Sequence, residues 1–389
     1  MAVPLLDETS QLNDAFRHLL EPMLRKIVPL TSSLEAPVAP RVGLGGEQLR
    51  SLAMPTDQEI ASARRRLHAK AALITFSLLG GFTALIAPNT ALLLRPLAFI
   101  VVVISLIMVA TSIMHDANHG AFFAKSERLN NTVGYLADLL GVSSLLWRIK
   151  HNIHHADTNV QGIDADIDQG AIARLADTQD WKPWHRFQHL YLWPLYGLMG
   201  VQWLVLSDFT DLIRGRVADK PITDVRFRSR AAIVGGKALH VSWALALPML
   251  WNPWWAVIGV YLAGSWLVGL VLAVTFQVAH CVDNAEFALP DSSRRDDDFV
   301  WHQLKTTVNV MANRSLLGRF RSLLVGGLDY QIEHHLAPSV PHTAYPAMAK
   351  RLRSLCDEYG ITYRSHRSVG SAIASHARWL RTMGTNPAL

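Results

Sequence analysis

The sequence predicts an all-α membrane protein: four transmembrane helices in two hairpins, with a helical cytoplasmic cap that holds a histidine-rich site. Three observations predict it. Two apolar runs, residues 71–114 and 238–279, are each about twice the roughly 20 residues that a helix needs to cross the hydrocarbon. Each run carries a turn signal near its middle, Pro88-Asn89 in the first and Trp251-Asn252-Pro253 in the second. Only 17% of the 389 residues are charged, against roughly 25% in a soluble domain. The mean hydropathy is correspondingly positive, at +0.18.

At the N-terminus, MAVPLLDETSQLNDAF has early acids and no apolar core before a small-residue cleavage site, so no secretory signal is expected. Leu12, Phe16, Leu19, Met23 and Ile27 recur at near-helical spacing and predict a surface amphipathic helix kinked at Pro22. Residues 33–46, rich in Pro, Gly and Ala, read as a linker. Cys281 and Cys356 form no paired spacing, which excludes a disulfide framework and a thiolate metal site.

The first hairpin contains one charge, Arg95, and the second contains none. Arg64, Arg65, Arg66 and Lys70 precede the first; Arg226, Arg228 and Arg230 precede the second. The positive-inside rule then puts both termini and the central segment in the cytoplasm. The third span is expected to begin near Arg230, with Lys237 snorkelling to the surface. Trp251, Trp254 and Trp255 suit an interfacial aromatic belt. The weaker apolar stretches 133–146 and 190–206 are expected to be interfacial or partly buried helices; spans made of both would raise the count to six. The basic residues are dispersed, so they read as topology determinants and not as a nucleic-acid site.

The chemistry lies in the histidines. His115-Asp116-Ala117-Asn118-His119 ends the first hairpin. Positions i and i+4 share one helix face, so both imidazoles can reach one metal. His151-Asn152-Ile153-His154-His155 repeats that spacing with an added neighbour, and Gln331-Ile332-Glu333-His334-His335 repeats it with Gln in the first place. His280 stands where the second hairpin emerges. All eight histidines (His115, His119, His151, His154, His155, His280, His334 and His335) therefore fall on one membrane face. They are too many for one tetrahedral zinc, which takes four ligands, and suit two metals with open positions. Imidazole serves Fe, Cu, Zn and Ni alike, so ligand type leaves the metal open. The Glu-x-x-His pairs of soluble di-iron bundles are absent.

HDANHG, WRIKHNIHH followed by ADTN and the acidic run Asp164-Ala165-Asp166-Ile167-Asp168, and GGLDYQIEHHLAP together resemble the membrane fatty acid desaturases. Within that family they are most similar to bacterial acyl-CoA and acyl-lipid desaturases and to the front-end group with Gln in the third box. The likeness runs over residues 70–364 and includes Phe276-Gln277-Val278-Ala279-His280 and Tyr345-Pro346-Ala347-Met348-Ala349-Lys350. Two departures stand out: Ala156-Asp157-Thr158-Asn159 follows His155 where relatives often carry an aromatic or bulkier residue before the Thr-Asn, and Asp329 precedes Tyr330 where Asn is common. The resemblance implies two iron ions held by the eight histidines, O2 as co-substrate, a fatty acyl substrate on CoA, a carrier protein or a lipid, and two electrons from an external donor. The His-Pro-Gly-Gly signature of a fused cytochrome b5 domain is absent, so the donor is expected to be a separate ferredoxin, rubredoxin or cytochrome b5 type protein with its reductase. It also implies a multi-pass protein of a bacterial inner membrane. The expected division is a cytoplasmic N-terminal segment and linker (1–66), a membrane desaturase domain (67–365) and a C-terminal tail (366–389).

An unactivated hydrocarbon offers ordinary side chains no acid, base or electrophile to work on, so the hard chemistry must fall to a metal oxidant. Asp116, Asn118, Asn159, Asp164, Asp168 and Glu333 are candidates to receive the outer N–H of a ligating histidine, and Gln331 to bond a bound water or a ligand. The other histidines, His18, His68, His240, His302, His342, His366 and His376, read as packed or exposed polar residues, and His185 with His189 matches no box. The rival functions are an acyl-chain hydroxylase or acetylenase on the same scaffold, a membrane zinc hydrolase of lipid amides, and a transporter or receptor with structural histidines. The last would place polar groups at mid-membrane.

Overall fold

The structure is a computed structural model that describes residues 44–217, 220–222, 227–290, 298–310 and 316–386. The expected N-terminal amphipathic helix, His18 and most of the linker lie outside them, as does Arg226. Among the described residues four helices are long and apolar enough to cross a membrane: Asp57–Ile86, Leu92–Asn118, Arg230–Met249 and Trp254–His280. Two hairpins result, with the turns where Pro88-Asn89 and Asn252-Pro253 break the helical pattern.

The first span opens on a capping box. Thr56 Oγ1 accepts from Glu59 N (3.3 Å), and the Glu59 carboxylate accepts from Thr56 N (2.7 Å). Thirty residues at 1.5 Å each give about 45 Å, longer than the roughly 30 Å hydrocarbon. The first turns, which carry Arg64–Arg66, therefore stand clear of it. The second span packs beside the first and ends on the histidines. At the far end the hairpin tips are tied together: Asn252 Nδ2 donates to Ile86 O (2.9 Å), and Arg95 Nη1 donates to Asn252 Oδ1 (2.9 Å). Trp251, Trp254 and Trp255 are exposed at this turn.

Between the hairpins the chain runs through short helices, 127–139, and then Ser144–Ala156, which carries the second box. It continues as a bent pair, Pro183–Tyr196 and Met199–Arg214, turned by 77°, which together is apolar enough to count as a fifth span. Leu190, Leu198, Val205 and Leu206 of this pair are exposed. The cap is a second core. Leu49, Ile332, Leu336, Tyr345, Met348 and Leu352 pack helices Gly46–Ala53, Gln331–Leu336 and Tyr345–Tyr359 together. The segment expected as a tail from residue 366 is structured: His366 belongs to the strand Ser365–His366, parallel to Asn309–Val310, and Val369–Met383 is a helix whose Leu380 shares a core with Leu175 and Cys281.

Among the described residues three segments wind as π-helix: Val109–Met114, Trp203–Ser207 and Ser242–Ala246. Such turns are uncommon and gather at functional sites. The first is braced by the loop before the third box. Thr111 Oγ1 lies 3.0 Å from the Leu324 carbonyl, and Gly326, at φ +60°, sits so close that a Cβ would collide with the Thr111 carbonyl.

Lys237 corrects the sequence reading. It does not snorkel to the surface. It is 7% exposed and donates to Gly141 O (2.6 Å), Trp203 O (2.9 Å) and the Asp208 carboxylate, itself 4% exposed. A cation on an apolar helix is stable only with its charge and protons satisfied, and this pocket satisfies all three N–H groups.

Gly326→Ala should lower stability by about 2 kcal/mol or more, since it forces a non-glycine residue into the left-handed region against a fixed carbonyl. The thermal midpoint of the purified protein in detergent checks this; an unchanged midpoint would show that the loop does not dock on the π turn.

Candidate metal centre

Each histidine is placed by the end of an element. His115 lies on the last turn of the second span, and His119 caps it. His280 is the last residue of the fourth span. His151, His154 and His155 lie on Ser144–Ala156, which starts where Ser143 accepts a hydrogen bond from Leu146 N (3.4 Å). His334 and His335 lie on Gln331–Leu336. All but His119 are less than a tenth exposed.

The eight converge in two lobes. Ring nitrogens of His115, His119, His151 and His334 lie within 4.8 Å of one another, as do those of His154, His280 and His335. His155 sits between the lobes: its nitrogens fall within the same distance of His334 and His335, and its ring stacks on His335 at 4.2 Å. His119 Nε2 and His151 Nε2 approach to 2.9 Å, and His151 Nε2 and His155 Nε2 to 3.2 Å.

Burial and the neighbouring imidazoles hold His151, His155, His334 and His335 well below the usual histidine pKa, so these rings are neutral and offer lone pairs. His115 Nε2, His155 Nδ1, His334 Nε2, His335 Nε2 and both nitrogens of His280 are buried without a hydrogen-bond partner. Native interiors seldom tolerate such a group, let alone six together. A set of neutral nitrogen donors facing one another fits metal ions shared among them.

Outer partners fix the rings. His154 Nδ1 donates to Asp164 Oδ2 (2.9 Å), which turns Nε2 inward. Burial penalises the charged form of His154, but Asp164, with Asp166 at 3.7 Å, outweighs it and lifts the pKa to about 9. His335 Nδ1 donates to Gln303 Oε1 (2.9 Å), and His334 Nδ1 lies 3.3 Å from Tyr345 Oη. Asp116 Oδ1 stands 3.8 Å from His115 Nδ1, while its Oδ2 accepts from His342 Nδ1 (2.9 Å); Lys70 Nζ donates to the other nitrogen of His342 (3.0 Å).

The other expected outer partners bond elsewhere. Asn118 Oδ1 accepts from Arg148 (3.0 Å). Asn159, at φ +54°, uses its amide to clamp the His280, Glu286 and Thr306 carbonyls at 3.0–3.3 Å. Asp168 accepts from Gly170 N in an exposed loop. Glu333 accepts from Asn309 Nδ2 (2.8 Å) and Tyr363 Oη (2.9 Å), and burial pushes its pKa up to about 7. Gln331 donates to Leu328 O (2.9 Å) and lies near His280. His185 meets Ala171 O (3.0 Å), away from the centre. Sequence reasoning missed Gln303, Tyr345 and His342 as outer partners and Trp147, which stacks on His151 at 4.3 Å. No local signal marks them.

From His115 an apolar cavity of about 810 Å³ runs between the hairpins to Arg95 and Asn252 at their tips. Phe99, Trp147, Trp203, Trp243, Tyr261 and Phe276 are among its lining residues, and each π-helical segment contributes to the wall.

A buried histidine cluster suited to metal, at the end of an apolar cavity in a chain with four candidate spans, defines a membrane oxidoreductase that acts on an apolar substrate. The sequence profile of the fatty acid desaturases matches residues 90–367, and the chain belongs to that family. Its reaction introduces a double bond into an acyl chain. The chain is 32% identical to an sn-1 linoleoyl-lipid 6-desaturase of Arthrospira platensis over 327 residues, 82% of this chain and 86% of the relative. It is 31% identical to the protein of the same name from Synechocystis over 75% of this chain and 80% of the relative. An acyl-lipid (8-3)-desaturase of Physcomitrium patens is 31% identical over 71% of this chain and 58% of the relative.

Asp164→Asn should weaken metal binding by about 10–100-fold, because the amide lacks the charge that makes Asp164 a strong acceptor for His154 Nδ1. Competition against a graded chelator measures it, and wild-type retention of metal would remove Asp164 from the centre.

Proposed function

We propose that the two lobes hold one iron each, with His155 between them, and that the protein desaturates an acyl chain carried by a membrane lipid. One observation carries the reading: eight imidazoles meet in two lobes at the mouth of an apolar cavity. A zinc hydrolase needs four ligand positions at one metal, and the second lobe would then have no purpose. The names of the relatives support a lipid-linked substrate, with the 6 position of a linoleoyl chain the first to test.

Iron activated by O2 would supply the oxidising power to remove hydrogen from an unactivated C–H bond. The chain's own residues do the rest. Asp164 and Gln303 hold the outer nitrogens of His154 and His335, so the inner nitrogens are the ones turned toward a metal. The cavity excludes water and holds the acyl chain extended in reach of His115 and Trp147. The two electrons come from a separate ferredoxin, rubredoxin or cytochrome b5 type donor with its reductase. Arg64, Arg65 and Arg66 lie in the first turns of the first span, at the histidine end, and Arg230 begins the third. Their charge supports a cytoplasmic centre.

Expression with a ferredoxin and its reductase, followed by metal analysis and mass spectrometry of the lipids, tests this. About two irons per chain and a new double bond are expected, and His154→Ala or His335→Ala should abolish turnover. About one zinc without iron, or a hydroxylated product without the alkene, would overturn it.

A further inference from the structure

We infer that one side of the third span, bearing Lys237, His240 and Trp243, positions the cavity wall and thereby selects which acyl carbon faces the metal centre. This rests on the cavity being the acyl-chain site, as proposed above.

The three residues are spaced by three, so they project from one side of the helix. All three donate to one turn, residues 139–141. Lys237 Nζ donates to Gly141 O (2.6 Å), His240 Nδ1 to Leu139 O (2.8 Å) and Trp243 Nε1 to Leu139 O (2.9 Å). The contact is close as well as polar. Gly141 holds φ +82°, and a Cβ on it would lie 3.3 Å from the His240 ring. Because Nδ1 of His240 donates, its Nε2 accepts from the Tyr261 hydroxyl (2.9 Å), which ties the third span to the fourth.

The turn has two neighbours that matter. Leu140 and Val142 line the cavity, together with His240 and Trp243. Ser143 then caps the helix that carries the second histidine box, and its backbone N–H donates to Asp208 Oδ2 (2.8 Å), the oxygen that also receives Lys237. One hydrogen-bonded block therefore joins the cavity wall to the start of the helix that holds His151, His154 and His155. A shift of the turn changes the wall and moves it against the centre. An apolar chain has no polar handle beyond its carrier end, so its register against the metals depends on wall shape. Lys237, His240 and Trp243 are on this account positioning residues. An ionisable pair beside a membrane span is seldom kept without a functional need.

The test uses the full-length protein in a host supplied with linoleic acid, a ferredoxin and its reductase. It reads metal per chain, rate and the position of the new double bond. Trp243→Phe keeps a ring but removes the donor. His240→Gln moves the amide donor away from Leu139, whereas His240→Asn keeps an N–H near the Nδ1 position. Trp243→Phe and His240→Gln should keep wild-type metal and raise the minor double-bond isomer by about tenfold, the factor for losing one hydrogen bond of about 1.4 kcal/mol. His240→Asn should restore the wild-type isomer ratio. Lys237→Met should shift it furthest; if that protein does not accumulate, the other three variants carry the test. A wild-type isomer ratio in both Trp243→Phe and His240→Gln, with only the rate reduced, would overturn the inference, as would equal shifts from His240→Asn and His240→Gln. Absence of metal or of any new double bond in the wild type would instead sink the functional reading, and this inference with it.

Discussion

Eight imidazoles are packed into one buried volume, and they can ligate a metal only as neutral rings whose lone pairs point inward. Each buried nitrogen without a partner costs about 1–3 kcal/mol, and six such atoms occur here. A cation shared among them converts that cost into ligation, and the rest of the structure can be understood as the means of holding the rings for it. Two of the four spans end on a ligand candidate, His115 and His280. The other candidates stand on short helices whose outer faces are fixed by Asp164, Gln303 and the core around Tyr345 and Met348.

The hairpins supply the second half of the arrangement. Their tips are tied together by Arg95 and Asn252, and His115 stands at the other end of the apolar cavity between them. The π-helical turns carry Met114, Trp203 and Trp243, which line the cavity. Such turns leave a backbone irregularity that neighbours must brace, and the Gly326 loop does so for the first of them.

Much of this was legible in the sequence. Hydropathy and two turn signals give the hairpins, because a bilayer demands length and apolarity and little else. The i, i+4 spacing gives the boxes, and the end of the second hairpin gives His280. What was not legible depends on partners distant in sequence. His342 meets Asp116 across 226 residues, and Lys237 meets Asp208 across a bent helix pair. No local pattern records such a contact. Asn118, Asn159, Asp168 and Glu333 show the converse limit. They are near the boxes in sequence, yet helix phase and loop geometry turn them toward Arg148, three carbonyls, Gly170 and Tyr363. Asp164 and Asp116 were found because a carboxylate beside a histidine box has an evident use, and here the fold brings the two together.

The two lobes lie close enough to act as one ligand set for two metals. X-ray absorption at the iron edge of the loaded protein tests it most directly. A first shell of nitrogen with the outer-shell pattern of imidazole is expected, weakened when His280→Ala removes a donor from one lobe. A shell dominated by oxygen or sulfur, or a spectrum indifferent to His280→Ala, would contradict it.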